Sequence, residues 1–148
     1  MSQTSVYALI MLAAGIGVPM LAALNAGLGK SIGSPSAASV VALCVALLVA
    51  LVVIVVTGDI GKVKAIPLAP KHFLCAGFFM AFYILSITFV APKFGVGNAV
   101  FFVLIGQLIS AAAIDHFGLF GAQISPLSLT RAAGIGLMAA GVWLTQQA

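Results

Sequence analysis

Charge is what this sequence has least of. Only 5% of its 148 residues are charged and none is a glutamate, whereas 64% are hydrophobic. A soluble domain carries about a quarter charged residues, so a water-exposed surface cannot be built from this composition and lipid must solvate much of the chain. The net charge of +4 comes from scattered lysines and one arginine. Without a basic stripe it does not point to nucleic acid as a partner.

Catalytic and metal-binding patterns are also missing. The sequence has no Gly-x-Ser-x-Gly elbow, no His-Glu-x-x-His pair, no phosphate loop and no dinucleotide fingerprint. The two histidines and two cysteines are not spaced as metal ligands. We interpret Cys44 and Cys75 as small core residues, and for the phenylalanines of the third apolar run we favour core packing over a role as cavity walls. We therefore expect no enzymatic activity, no catalytic residue, no cofactor and no bound metal.

Long apolar runs take the place of charge. A helix needs roughly 20 apolar residues to cross a bilayer core, and five runs of this length follow one another. The start, MSQTSVYALI, lacks a basic region, so the first run is expected to be a retained span and not a cleaved signal. The sequence predicts an all-α integral membrane protein, one domain over 1–148, with five transmembrane helices. The predicted spans are 6–25, 36–57, 71–90, 95–117 and 127–146.

Glycine, serine and proline separate these runs. The glycines of Leu24–Pro35 predict a loop. Ser34-Pro35 and Ser125-Pro126 each predict a helix start, because serine can cap a helix and proline fits its first position. Lys30, inside the first loop, either extends to the lipid headgroups or places a cation at the mouth of a cavity. Both interpretations of Lys30 stay open.

The fourth span carries unusual polar side chains for a membrane helix. Such groups cost free energy in hydrocarbon and tend to face a packed interior or a wet cavity. Gln107 and Asp115 are eight residues apart, within about a quarter turn, whereas Asn98 and Gln107 are nine apart and point to opposite sides. Gln107 is therefore the first choice for lining a route through the membrane. The substrate-binding candidates are Asn25, Lys30, Tyr83, Asn98, Gln107, Ser110 and Asp115.

Asp115 has two interpretations. It lies near the end of the fourth span, where a carboxylate can be wet and paired with a lysine or with Arg131. The alternative is a proton or ion site. The first is favoured because Asp115 is not deep in the apolar run.

Small residues predict where helices meet. Gly106 and Ser110 are four residues apart in the fourth span, and Ala132, Gly136 and Ala140 form a row at the same spacing in the fifth. In lipid, rows of small residues allow close helix contact. The row in the fifth span fits a contact within one bundle or between subunits.

The distribution of basic residues leaves orientation weakly fixed. With five spans, one side holds Lys62, Lys64, Lys71 and Arg131 and the other holds Lys30 and Lys93. This bias favours a cytoplasmic N-terminus but permits insertion both ways. Transporters commonly build a midplane cavity between inverted repeats. We therefore expect a ten-helix antiparallel assembly, in which the chain pairs with an inverted copy of itself or with a related chain.

These features favour a secondary transporter of a small molecule that works by alternating access. Lys30 and Arg131, without a buried glutamate, favour an anionic or zwitterionic metabolite. One alternative is an ion channel between inverted subunits, with Asn98, Phe101 and Phe102 lining a narrow pore. Another is a membrane accessory subunit that assists a partner without transporting anything itself.

Three stretches carry a family resemblance: LNAGLGKSIGSP, GQLISAAAIDHFGLFG and RAAGIGLMAAGVWL. The chain resembles the five-helix YdcZ-type branch of the drug/metabolite transporter superfamily over nearly its whole length. The resemblance implies an inner-membrane protein that assembles as antiparallel homodimers or as heterodimers with a homologue. Related small multidrug resistance proteins use a glutamate to couple protons to cationic drugs, and this chain has none. The matching motif positions are Asn25, Gly29, Lys30, Gly33, Ser34, Pro35, Gly106, Gln107, Asp115, His116 and Gly118.

Overall fold

A computed structural model describes residues 3–147, and these residues form helices, turns and short loops without a strand. The predicted all-α class is confirmed. Three 3₁₀ segments, Asp59–Leu68, Lys71–Cys75 and Leu119–Gly121, lie between the longer helices. The α-helices are α1 (Gln3–Ser31), α2 (Pro35–Val56), α3 (Ala76–Phe94), α4 (Val96–Phe117) and α5 (Leu129–Thr145).

Four of the described helices are long and apolar enough to cross a membrane. They are α1, α2, α4 and the stretch Lys71–Phe94, which joins the second 3₁₀ segment to α3. The apolar helix α5 is shorter, at 17 residues. With a rise of about 1.5 Å per residue, each of the four longer helices reaches or exceeds the thickness of the hydrocarbon core.

The chain divides into two compact units, Met1–Gly95 and Val96–Ala148. Unit 1 contains α1, α2 and α3, and unit 2 contains α4 and α5. In unit 1, α1 and α3 place their buried residues three and four positions apart, so each helix presents one face to the others. The buried residues are mostly small, which lets helices approach closely in lipid. They are Ala22, Asn25, Ala26 and Gly29 in α1, Ala38 and Ser39 in α2, and Ile84, Ile87, Thr88 and Ala91 in α3.

The end of α1 differs from the sequence prediction. The loop predicted over Leu24–Pro35 is wrong for most of its length, because α1 remains helical through Ser31. Gly29 is buried against the start of α2, and a Cβ added there would lie 3.1 Å from Pro35 Cα. The glycine that suggested a loop is therefore what lets the two helices pack tightly.

The turn between α1 and α2 confirms the predicted helix start at Ser34-Pro35. Gly33 adopts φ +70°, a left-handed conformation that glycine adopts without a steric cost. The Ser34 hydroxyl accepts a hydrogen bond from the Ala37 N–H at 3.2 Å, and Pro35 occupies the first helical position. Serine and proline thus begin α2 as their local chemistry predicts.

Several apolar residues that were predicted to be core lie on the outside. Cys44 and Cys75 are exposed, so their interpretation as core residues is wrong. The same correction applies to the third span, where Phe78, Phe79 and Phe82 are all more than 60% exposed. The physical reason is that lipid tails are as apolar as a protein core, so a large apolar side chain does not need a protein neighbour.

In unit 2, α5 begins later than predicted. Its N-cap is Ser128, whose hydroxyl accepts from the Arg131 N–H at 3.2 Å, so the start predicted at Ser125-Pro126 is wrong. The Ser125 N–H donates to the Asp115 carbonyl at 2.8 Å, and the Leu127 N–H donates to His116 Nδ1 at 3.0 Å. These bonds hold the connecting segment against the end of α4, so α5 begins only after this segment, at Leu129.

Candidate functional site

The polar centre of unit 1 is a hydrogen bond between α1 and α3. Asn25 is 5% exposed and Thr88 is fully buried. Asn25 Nδ2 donates to Thr88 Oγ1, which in turn donates to the Ile84 carbonyl at 2.6 Å. Buried polar groups need such partners, because an unpaired amide costs about 1–3 kcal/mol. Asn25 is thus held by a partner inside its own chain.

Lys30 lies one turn beyond Asn25, in the last turn of α1. It is exposed and lines a pocket of about 250 Å³ at the end of unit 1, together with Gly33, Pro35 and residues of α3. The structure therefore places a lysine at a cavity, as one of the two interpretations of Lys30 proposes.

Tyr83 lies on α3 and is half-buried. Its hydroxyl oxygen is buried and has no hydrogen-bond partner among the residues that the structure describes. A buried hydroxyl in this state can still donate to or accept from a polar molecule that reaches it. Its role in substrate binding stays a prediction.

Asp115 in unit 2 is paired with Arg131. Asp115 Oδ2 accepts a hydrogen bond from Arg131 Nη2 at 2.7 Å, and the side chains are 36% and 34% exposed. This confirms the favoured interpretation of Asp115 as a partly wet carboxylate paired with Arg131. The pair joins the last turn of α4 to the first turn of α5.

Asn98 marks the other end of unit 2. It is half-buried in the first turn of α4, and its side-chain oxygen accepts from Gln146 Nε2 at 2.9 Å. Seventeen residues separate Asn98 from Asp115, which is about 25 Å along a helix. The two residues therefore lie at opposite ends of α4 and cannot bind the same small molecule within one chain.

Gln107 and Ser110 lie on uncovered faces of α4. Both are exposed, and Gln107 sits near the middle of this membrane-spanning helix. A Cβ added at the neighbouring Gly106 would meet no atom within 4 Å. Within unit 2, α5 thus leaves this polar and small-residue face of α4 uncovered.

No group of three histidine, cysteine, aspartate or glutamate side chains is placed to hold a metal ion within residues 3–147. The two described ion pairs, Asp115 with Arg131 and Asp59 with Lys62, engage both of the acids in the chain. The geometry supplies polar groups on the long apolar helices and one ion pair between α4 and α5.

A protein-family model described as "Putative inner membrane exporter, YdcZ" matches residues 6–144. The chain belongs to the YdcZ family. The family resemblance found in the sequence is confirmed, and this YdcZ-family protein is a multi-pass protein of the inner membrane. The description is that of a membrane exporter and not of an enzyme, which supports a role in transport. Searches of curated proteins and of solved structures found no match.

Two partners in this YdcZ-family chain were missed from the sequence. Thr88 is a lone threonine in an apolar span, which marks it as unusual, but nothing local pairs it with an asparagine 63 positions away. Gln146 near the C-terminus bonds Asn98, 48 positions away, and carries no signal in its own neighbourhood. Both pairings depend on which faces of two helices meet, and only the fold supplies that information.

Proposed function

We propose that this protein is a secondary transporter that moves a small anionic or zwitterionic metabolite by alternating access in an antiparallel dimer. Membership of an exporter family over residues 6–144 supports transport. The long apolar helices supply the membrane scaffold.

The observation that carries the proposal is the exposure of Gln107 in the middle of α4. A side-chain amide that faces hydrocarbon loses its hydrogen bonds to water. Without a replacement partner, this costs roughly 2–7 kcal/mol. The cost disappears if this face of α4 borders a polar substrate route or packs against another protein surface. In our proposal an inverted second copy provides both: it covers α4 and encloses a substrate route along it.

The small-residue row of α5 supports the same assembly. Ala132, Gly136 and Ala140 are all exposed, and a Cβ at Gly136 would meet nothing within 4 Å. In lipid such a row favours close contact with another helix. We propose that it meets the same row of the inverted copy. At 17 residues, α5 is at the short end of the range that spans a bilayer, and we count it as the fifth span.

The proposed charge of the substrate depends mainly on Lys30. Arg131 is engaged with Asp115 at 2.7 Å, so its positive charge is largely compensated. Lys30 lines a pocket and has no carboxylate partner among the described ion pairs. A cation in this position attracts an anionic group more strongly than a neutral or cationic one.

Uptake into proteoliposomes tests the function. We expect saturable uptake of at least one anionic or zwitterionic compound from a labelled panel. The Gln107→Leu variant should lose at least about tenfold in rate, because the polar lining is removed. Gln147→Leu, a matched change at an exposed position outside the helices, should keep the wild-type rate.

Other results would favour the other assignments. Flux that does not saturate would favour a channel between inverted subunits, and selective transport of cations would reverse the assigned substrate charge. A purified chain that carries nothing alone but forms a stable complex with another chain would favour an accessory subunit. C-terminal reporter fusions add a test of the self-paired dimer, because one uniform orientation without a partner chain contradicts it.

A further inference from the structure

A second feature of unit 1 is the pocket of about 250 Å³ where α1 and α3 end and α2 begins. Residues of all three helices line it, including Lys30, Pro35, Thr88 and Lys93. A space of this size has room for a compact polar group such as a phosphate.

Two lysines give the pocket its charge. Lys30 and Lys93 both line it, one from each of the two helix ends. Lys93 Nζ lies 3.5 Å from the centre of the Phe89 ring, and Phe89 is itself a wall of the pocket. A cation–π contact of this kind holds the ammonium group beside the pocket while leaving N–H donors free to bind an anion.

No carboxylate in unit 1 compensates this charge. Asp59 is the only acid of this unit, and it follows the far end of the 22-residue α2. That helix is about 33 Å long, whereas salt screens charges over about 8 Å under physiological conditions. Asp59 is moreover paired with Lys62. The two lysines at the pocket therefore keep their positive potential.

The start of α2 adds to the same potential. Pro35, the first residue of α2, lines the pocket, so the positive end of the helix dipole lies beside it. Gly29 permits this arrangement, because its missing side chain lets the end of α1 approach Pro35. The floor of the pocket includes Thr88, whose hydroxyl is fixed by Asn25 and the Ile84 carbonyl.

Helix chemistry alone does not account for the pair of lysines. Each lies in the last turn of its helix, where a cation complements the helix dipole. That effect acts on each helix separately and does not require both side chains to line one cavity. The observation that points to an anion is that both lysines and the start of α2 line the same pocket.

We infer that this pocket binds a phosphate-type oxyanion, supplied either by the headgroup of an anionic lipid or by a free small anion. Its location at the ends of membrane-spanning helices puts it at the depth of lipid headgroups, where both sources are present. The pocket shares Lys30 with the proposed transport function, but the inference does not rest on transport, because an anion held here does not have to cross the membrane. Equilibrium binding can therefore fail or succeed independently of flux.

The test uses the purified full-length protein in phosphatidylcholine nanodiscs. One arm adds inorganic phosphate, and the other replaces part of the phosphatidylcholine by phosphatidylglycerol. Thermal unfolding reports stabilisation, and native mass spectrometry counts retained lipids. The test variant combines Lys30→Gln with Lys93→Gln. The matched control combines Lys64→Gln with Lys71→Gln, which removes the same charge from exposed positions beyond the far end of α2.

We expect wild type and the control to bind with affinities within about twofold of each other. The test variant should bind at least tenfold more weakly, because two charge-assisted contacts are lost. A response to inorganic phosphate identifies a free anion as a ligand, and a response to phosphatidylglycerol alone identifies a lipid. No response of the wild type in either arm, or equal losses in both double variants, would overturn the inference.

If the test variant does not fold, charge-preserving changes keep the inference testable. Lys30→Arg combined with Lys93→Arg should retain binding, because both positive charges remain. Lys93→Gln alone should weaken it several-fold. Equal binding by these two variants would also overturn the inference.

Discussion

Asn25 and Thr88 show how single polar residues are accommodated between membrane helices. The asparagine amide donates a hydrogen bond across the helix interface, and the threonine hydroxyl donates one to a backbone carbonyl of α3. Hydrogen bonds between membrane helices contribute about 0.6 kcal/mol on average and up to about 2 kcal/mol. The Asn25 amide N–H has the Thr88 hydroxyl as its acceptor, so loss of that hydroxyl should lower the stability of the protein.

We expect Thr88→Val to destabilise the protein by about 1–2 kcal/mol, because the shape is kept while a buried amide loses its acceptor. Unfolding in mixed detergent micelles measures the change. Thr57→Val is the matched control, since Thr57 is exposed and its hydroxyl bonds only the carbonyls of its own helix. Equal effects of the two substitutions would show that the link between α1 and α3 does not contribute to stability.

Asp115 and Arg131 form a link of a different kind. Both side chains are about one-third exposed, so water screens much of their attraction. In a double-mutant cycle with Asp115→Asn and Arg131→Gln, we expect a coupling energy below about 1 kcal/mol that falls as salt is added. A coupling of several kcal/mol that is insensitive to salt would contradict a partly wet, structural pair.

These two pairs also show what sequence can say about single residues. Asp115 and Arg131 are 16 positions apart, at the end of one helix and the start of the next. Such neighbours meet whenever the connection is short, so their pairing could be predicted. Asn25 and Thr88 are 63 positions apart, and which faces of α1 and α3 meet is set by packing that no local pattern encodes.

The helices themselves were easier to predict than their ends. Apolar length identifies the membrane helices, but the glycines near the end of α1 predict a loop where the chain is helical, and Gly29 among them is a packing position. Intrinsic propensity penalises glycine in a helix by about 1 kcal/mol, and a close helix contact outweighs that penalty. Likewise, Ser125 and Ser128 are both plausible caps, and tertiary hydrogen bonds to the end of α4 select the later one.

Substitutions at Gly29 and Gly27 can distinguish the effect of helix propensity from that of helix packing. A Cβ at Gly29 meets the Pro35 backbone at 3.1 Å, whereas a Cβ at Gly27 meets nothing within 4 Å. Gly27→Ala should be neutral or stabilising by up to about 1 kcal/mol, because alanine favours helix. Gly29→Ala should be less favourable than Gly27→Ala by about 1–2 kcal/mol, because α1 and α2 must move apart. Thermal unfolding in micelles measures both effects. Equal values would show that the close contact between Gly29 and Pro35 does not constrain the packing of α1 against α2.

At the scale of the molecule, the most informative feature is how little of each unit is enclosed. Only nine hydrophobic side chains are buried among the described residues, and dozens of large apolar ones are exposed. Lipid can cover the apolar surface, because acyl chains are a good solvent for it. Lipid is a poor solvent for Gln107. Sequence could predict the membrane class and this polar face, but unit 2 by itself does not supply the surface that covers it.

We predict that an inverted second copy covers α4 and meets α5 through Ala132, Gly136 and Ala140. In an antiparallel contact centred on Gly136, position 132 of one copy faces position 140 of the other. In a parallel contact, each position faces itself. Eight residues of helix separate positions 132 and 140 by about 12 Å, and a disulfide needs Cα atoms within about 7 Å. Cysteine crosslinking can therefore distinguish the two arrangements.

The decisive measurement uses chains in which Cys44 and Cys75 are first replaced by alanine. Gly136→Cys reports contact in either arrangement and should crosslink to itself. When chains with Ala132→Cys and Ala140→Cys carry different tags and are oxidised together in membranes, we expect disulfides between the two kinds of chain. Disulfides only between chains of the same kind, or no crosslink at Gly136→Cys, would contradict the inverted dimer.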